Sequence, residues 1–149
     1  MTPEELRNRS MQFAVRVVRF CRSLPNNWEA RRIGGQLIDS STSVAINYRA
    51  AGRGRSHREF TAKLGLVTEE ADETLGWLEL VARLELARGA EISWLMGESR
   101  ELVCIFGSSY ATAKEREKEA RRRRSNNGES GNRRSPNHRP PDLSNEVTP

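Results

Sequence analysis

The sequence predicts an all-α protein: an antiparallel up-down-up-down four-helix bundle followed by a disordered C-terminal tail. Three observations carry that prediction. Apolar residues recur at three- and four-residue intervals in four successive stretches, the spacing of a helix with one greasy face. No proline lies between Pro25 and Pro136, so nothing in that span removes a helical amide or clashes with a preceding turn. Beyond Ser125 the chain turns to Asn, Gly, Ser, Arg and Pro, with Leu143 and Val147 its only aliphatic residues. So little apolar surface does not offset the entropy of ordering. The organisation expected is a bundle over residues 1–118 and a basic, disordered tail over 119–149.

The first helix is expected from Pro3 to about Ser23. Thr2 is its N-cap, proline suits the first turn, and Glu4 and Glu5 meet the positive end of the helix dipole. Leu6, Phe13, Val17, Phe20, Cys21 and Leu24 share one face, and Leu24-Pro25-Asn26-Asn27 ends it. The second helix, about Trp28 to Ala51, carries Ile33, Leu37, Ser41, Val44, Tyr48 and Ala51. Many small residues around them permit close helix approach, and Gly52-Arg53-Gly54-Arg55 is the expected left-handed stop. Ser56 and Glu59 form a capping box for a third helix running to about Arg88, with Gly89 as its stop. Its face reads Phe60, Leu64, Val67, Ala71, Leu75, Leu78 and Val81. The fourth begins near Glu91 with Ile92, Leu95, Ser99, Leu102, Phe106, Tyr110 and Ala113, after which its apolar stripe fades. Short connections between four such helices are the ingredients of a bundle.

Charge points outward to partners. The net charge is +5; residues 1–118 carry 18 basic and 16 acidic side chains, and residues 119–149 carry 7 and 4. Arginine outnumbers lysine by 22 to 3. Guanidinium suits bidentate phosphate contacts, although GC-rich coding produces the same bias. No apolar run reaches the roughly 18 residues a membrane span needs. The acidic start Met1-Thr2-Pro3-Glu4-Glu5 is no signal peptide. Cys21 and Cys104 have no metal-ligand spacing and lie within apolar stripes, so they read as small buried hydrophobes in a reducing cytoplasm.

Three segments carry a family resemblance: Asn47-Tyr48-Arg49-Ala50, Ser56-x-x-x-Phe60-x-x-Lys63-Leu64 and Glu73-Thr74-x-x-Trp77-Leu78. Together with Ile33-Gly34-Gly35-Gln36-Leu37 they resemble the bacterial four-helix bundle proteins described as encoded by intervening sequences of 23S ribosomal RNA genes. Those are similar in turn to the accessory variability protein of diversity-generating retroelements. The resemblance covers roughly residues 5–115 and has no counterpart after Ala120. It departs after Ala51, where many relatives carry an acidic or alanine-rich turn instead of Gly-Arg-Gly-Arg. It implies a bundle assembled as a homopentamer. In the retroelement branch it also implies binding to nucleic acid and a reverse transcriptase.

Two basic clusters are candidate nucleic-acid contacts. Arg49, Arg53, Arg55, Arg58 and Lys63 surround the turn between helices two and three, where flexible glycines and the free amides of a helix start would favour phosphate. Arg121, Arg122, Arg123 and Arg124 head the tail and could wrap a backbone without reading sequence. The alternatives are a solvated loop whose arginines pair with Glu59 or a neighbour, and a solubilising terminus. Asn47 and Tyr48 read as a packed interhelical position, and Trp77 and Trp94 as core or interface anchors.

Enzyme chemistry lacks an inventory. A di-iron bundle needs Glu-x-x-His pairs, but His57 lies at a turn and His138 in the tail. Glu69-Glu70-x-x-Glu73 is part of the metal motif of all-helical nucleotide pyrophosphatases, and no Glu-x-x-Asp follows it. The Arg-x(4–6)-His motif of helical ribonucleases is also missing. The expectation is a non-enzymatic, oligomeric nucleic-acid-binding bundle without metal or cofactor, serving as accessory to a retroelement reverse transcriptase. The alternative is a protein-interaction scaffold with no nucleic-acid role.

Overall fold

The computed structural model describes residues 1–131. Four helices follow in order: α1 (Pro3–Cys21), α2 (Trp28–Ala51), α3 (His57–Arg83) and α4 (Ala90–Gly131). Each of the first three starts where a side-chain oxygen replaces a missing helical acceptor. Thr2 Oγ1 accepts the Glu5 amide at 3.1 Å, and the Glu5 carboxylate accepts the Thr2 amide at 2.6 Å, a complete capping box. Asn27 accepts from the Ala30 amide at 2.8 Å. Ser56 accepts from Glu59 at 3.1 Å, but the Glu59 carboxylate takes the Arg55 amide, at 3.0 Å, rather than that of Ser56. The reciprocal half of the box expected at α3 is thus displaced by one residue.

Helix ends depart from expectation more than helix starts. α1 stops at Cys21 and α3 at Arg83, short of Ser23 and Arg88. The stop of α3 is a Schellman motif. Leu86 N–H reaches the Val81 carbonyl at 3.0 Å and Glu85 N–H that of Ala82 at 3.1 Å, with Glu85 left-handed at φ 55°. Gly89, at φ 99°, instead precedes α4, its carbonyl taking the Ser93 amide at 3.3 Å. Gly52 is not a left-handed cap either: its φ of −64° and ψ of −11° are right-handed. α4 continues past Ser125 to Gly131, so the first part of the expected disordered tail is helical; residues 132–149 lie outside the described part.

Met1–Glu117 makes one compact unit and contains the bundle. Cross-helix contacts fix its antiparallel order. Cys21 lies beside Gly34, and Arg7 beside Gly52, at opposite ends of α1 and α2. Ser40 and Thr74 share a buried hydroxyl hydrogen bond of 3.0 Å between α2 and α3. The start of α3 meets α4 where His57 Nε2 lies 3.1 Å from the Ala113 carbonyl. Further along, a Cβ on Gly65 would come within 3.1 Å of the Tyr110 ring, so glycine there lets α3 and α4 close on each other. α1 returns against α4 through ion pairs of Arg16 with Glu91 and of Arg9 with Glu98 and Glu101.

The four greasy faces meet in one core built on Phe13, Val17, Leu37, Val44, Leu64, Val67, Leu78, Val81, Leu95, Leu102 and Phe106. Tyr48 packs edge-on against Phe106, ring centres 5.1 Å apart. Cysteine placement departs from the sequence expectation: Cys21 is half-buried, but Cys104 is exposed on α4. Among the described residues no helix is long and apolar enough to cross a membrane.

Candidate nucleic-acid interface

α1 and α2 form a helical hairpin, joined by the turn around Pro25, whose open end is where α1 starts and α2 finishes. Arg49 projects from the last turn of α2, Arg53 and Arg55 from the following turn and Arg58 from the start of α3; all four are exposed, and Lys63 is half-buried. The structure therefore brings Arg49 and Arg53 of the predicted turn cluster into one groove and leaves Arg55, Arg58 and Lys63 outside its lining. It adds a member that sequence reasoning missed. Arg7 of α1 faces Arg49 and Arg53 across a groove of about 420 Å³, which Asn8, Met11 and Ala45 also line. Six positions separate Arg7 from the chain start and forty-two separate it from Arg49, so no local motif joins them.

Glycine works here through absent volume rather than flexibility. A Cβ on Gly52 would stand 3.3 Å from the Arg7 Nη1 atom, so the bare backbone lets that guanidinium lie over the end of α2. A Cβ on Gly54 would meet the Ala51 carbonyl oxygen at 3.2 Å and the Phe60 nitrogen at 3.4 Å. The turn is held closely against helix ends, and neither glycine uses a positive φ.

The arginines at this end lack ion-pair partners among the described residues: Arg7, Arg49, Arg53, Arg55 and Arg58 enter none. Glu59, the nearest expected partner in sequence, accepts a backbone amide instead of a guanidinium. On the α1–α4 seam, by contrast, carboxylates are paired. Glu98 receives Arg9 through two nitrogens at 2.6 and 2.8 Å, and Glu91 receives Arg16 at 2.8 and 2.9 Å. The Arg9 guanidinium is held more firmly protonated by its bonds to Glu98 and Glu101, and the bond from Arg16 lowers the carboxyl of Glu91 below its ordinary range. The positive field of Arg7 also reaches Tyr48, opposing the upward shift that burial imposes on its phenol.

The second predicted cluster lies in the helical continuation of α4. Arg121 to Arg124 are exposed, helical and within the unit that begins at Lys118. Other singled-out residues have plain structural duties. The Asn47 amide donates to the Ser43 carbonyl of its own helix at 3.0 Å, not across to a neighbour. Trp77 packs against the core, whereas Trp94 is exposed and carries the Arg16 guanidinium 3.6 Å above its ring. Among the described residues no group of three or more His, Cys, Asp or Glu side chains could hold a metal ion.

Fold and site together define an antiparallel helical bundle with an arginine-rich end. Residues 4–107 match the family described as 23S rRNA-intervening sequence protein, and the chain belongs to that family. It is similar to a crystal structure described as a protein with unknown function from the S23 ribosomal protein family of Bacteroides thetaiotaomicron VPI-5482. The two are 30% identical, the match covers 74% of this chain and 99% of that one, and the TM-score is 0.68. Among curated proteins none matches the sequence.

Proposed function

We propose that this protein is a non-enzymatic nucleic-acid-binding bundle that grips phosphate backbones with the arginines at the α2–α3 end. The observation that carries the reading is the contrast in pairing. Arginines on the α1–α4 seam are satisfied by carboxylates, while Arg49, Arg53, Arg55 and Arg58 stand exposed without one among the described residues. Counter-ions must sit at such a patch, and a polyanion that displaces them gains the free energy of their release. A body with 18 basic and 16 acidic residues over 1–118 has little overall field, so the clustering is what favours a local contact.

Homo-oligomerisation strengthens the same function, since one basic end per subunit multiplies weak contacts. Exposed Trp28 and Ile46 on α2, at 74% and 57%, supply apolar surface for such assembly. The same side chains favour the second reading, a scaffold that binds protein alone. The cytoplasm, and service to a reverse transcriptase, complete the first reading.

Fluorescence anisotropy with labelled single-stranded RNA and DNA tests it. Binding should weaken steeply with salt, by roughly 0.7 in logarithmic slope for each backbone phosphate engaged. The combined Arg53→Ala, Arg55→Ala and Arg58→Ala variant should bind less and show a shallower slope. Unaltered binding removes the turn as the site; a wild-type protein indifferent to both polymers in dilute buffer, but retaining a protein partner after nuclease treatment, establishes the scaffold.

A further inference from the structure

We infer that Arg7, Arg49 and Arg53, with Asn8, form a seat for a phosphate group in the groove at the open end of the α1–α2 hairpin. The inference rests on the proposed nucleic-acid reading and deepens it, since it moves the anchoring contact from the flanking turn into a cleft shared by two helices. Three arginines, one each from α1, the last turn of α2 and the turn that follows it, line a groove of about 420 Å³. None of the three is engaged by a carboxylate among the described residues. Like charges gathered round one space repel one another, and an oxyanion placed among them converts that repulsion to attraction. The planar fork of each arginine offers paired N–H donors matched to phosphate oxygens, and the Asn8 amide adds a neutral donor.

Geometry, not charge alone, makes this a seat. Arg7 lies over the end of α2 close against Gly52, its Nη1 atom 3.3 Å from where a Cβ would be. Gly52, the C-cap of α2, is right-handed at φ −64°, so an L-residue fits its backbone without strain, and a side chain there would crowd the guanidinium. The chemistry recognised is a phosphate oxyanion, whose source is a backbone phosphodiester or a small free phosphate compound.

The test uses the full chain and a labelled single-stranded oligonucleotide, with tripolyphosphate as competitor. Arg7→Gln should weaken oligonucleotide binding about tenfold at low salt and reduce the salt slope by roughly 0.7. Arg22→Gln, the same change of charge at the opposite end of the hairpin, should do neither. Gly52→Leu keeps every charge and fits the right-handed backbone, so it should fold as the native protein does yet weaken binding by crowding Arg7. Circular dichroism verifies folding, and Arg7→Lys should restore part of the affinity. Oligonucleotide binding that Arg7→Gln and Arg22→Gln reduce equally, with Gly52→Leu unchanged, overturns the seat while leaving the broader nucleic-acid reading intact. Tripolyphosphate binding that needs Arg7, without any oligonucleotide binding, upholds the seat for a small phosphate compound and overturns the nucleic-acid reading. Binding of neither ligand overturns both.

Discussion

Glu85 offers a test of how α3 is brought to an end. It is the non-glycine residue with a positive φ among the described residues, at 55°, and it occupies the Schellman position after the Leu84 cap. Holding a residue with a Cβ in that region costs about 1–2 kcal/mol. Glycine removes the strain but loses roughly 0.4–1 kcal/mol through the greater freedom of the unfolded chain. Substitution also removes the 2.8 Å ion pair with Arg88, but with the two side chains 66% and 74% exposed that pair is screened and counts for little. Glu85→Gly should therefore stabilise the bundle by about 0.5–1 kcal/mol. Glu85→Ala loses the same ion pair and keeps the Cβ, so it should fall at or below the native protein. In a domain of this size about 1 kcal/mol moves the Tm by roughly 3–6 °C, readily resolved by calorimetry. A Glu85→Gly protein that melts no higher than Glu85→Ala would refute the reasoning.

Phe106→Ala should cost about 3–5 kcal/mol in urea unfolding, because the ring is fully buried and holds the edge of Tyr48. The native protein should release one thiol quickly to Ellman's reagent, the exposed Cys104; Cys21, half-buried and pushed up to about 11 by desolvation, should follow only on denaturation. Glu70 has its carboxyl raised, first by burial and then by Glu73, Glu69 and Asp39. A raised acid binds its proton more tightly when folded, so stability is lost as pH rises from the ordinary glutamate value through the raised one. Glu70→Gln should accordingly unfold at higher denaturant than the native protein at pH 7, and the advantage should vanish in acid below both values.

The helices were legible because their signals are local. Thr2, Asn27 and Ser56 each stand beside the first apolar repeat of a helix, and each caps it. Stops were less legible. Gly89 looked like the end of α3, but backbone hydrogen bonds to Val81 and Ala82 close the helix around a glutamate, a choice that leaves no glycine to read. A lack of apolar residues speaks only against packed helices; residues 119–131 continue as helix with exposed side chains through Asn127, which that criterion does not detect. At the candidate site, Arg49, Arg53, Arg55 and Arg58 were visible as neighbours in sequence. Arg7 was not, since its place beside Gly52 follows from the antiparallel register of α1 and α2. Sequence also cannot say which arginines are spoken for: Arg9 and Arg16, two positions along the same helix, are tied to α4.

The capping box at Thr2 and Glu5 sits one turn ahead of Arg7 on the same stretch of backbone. Terminal turns are ordinarily the first part of a helix to fray. Here two reciprocal bonds, with buried Leu6 between the box and the arginine, pin that stretch. One wall of the groove is thus built from a helix beginning, and its sharpness depends on a threonine and a glutamate outside the groove's lining.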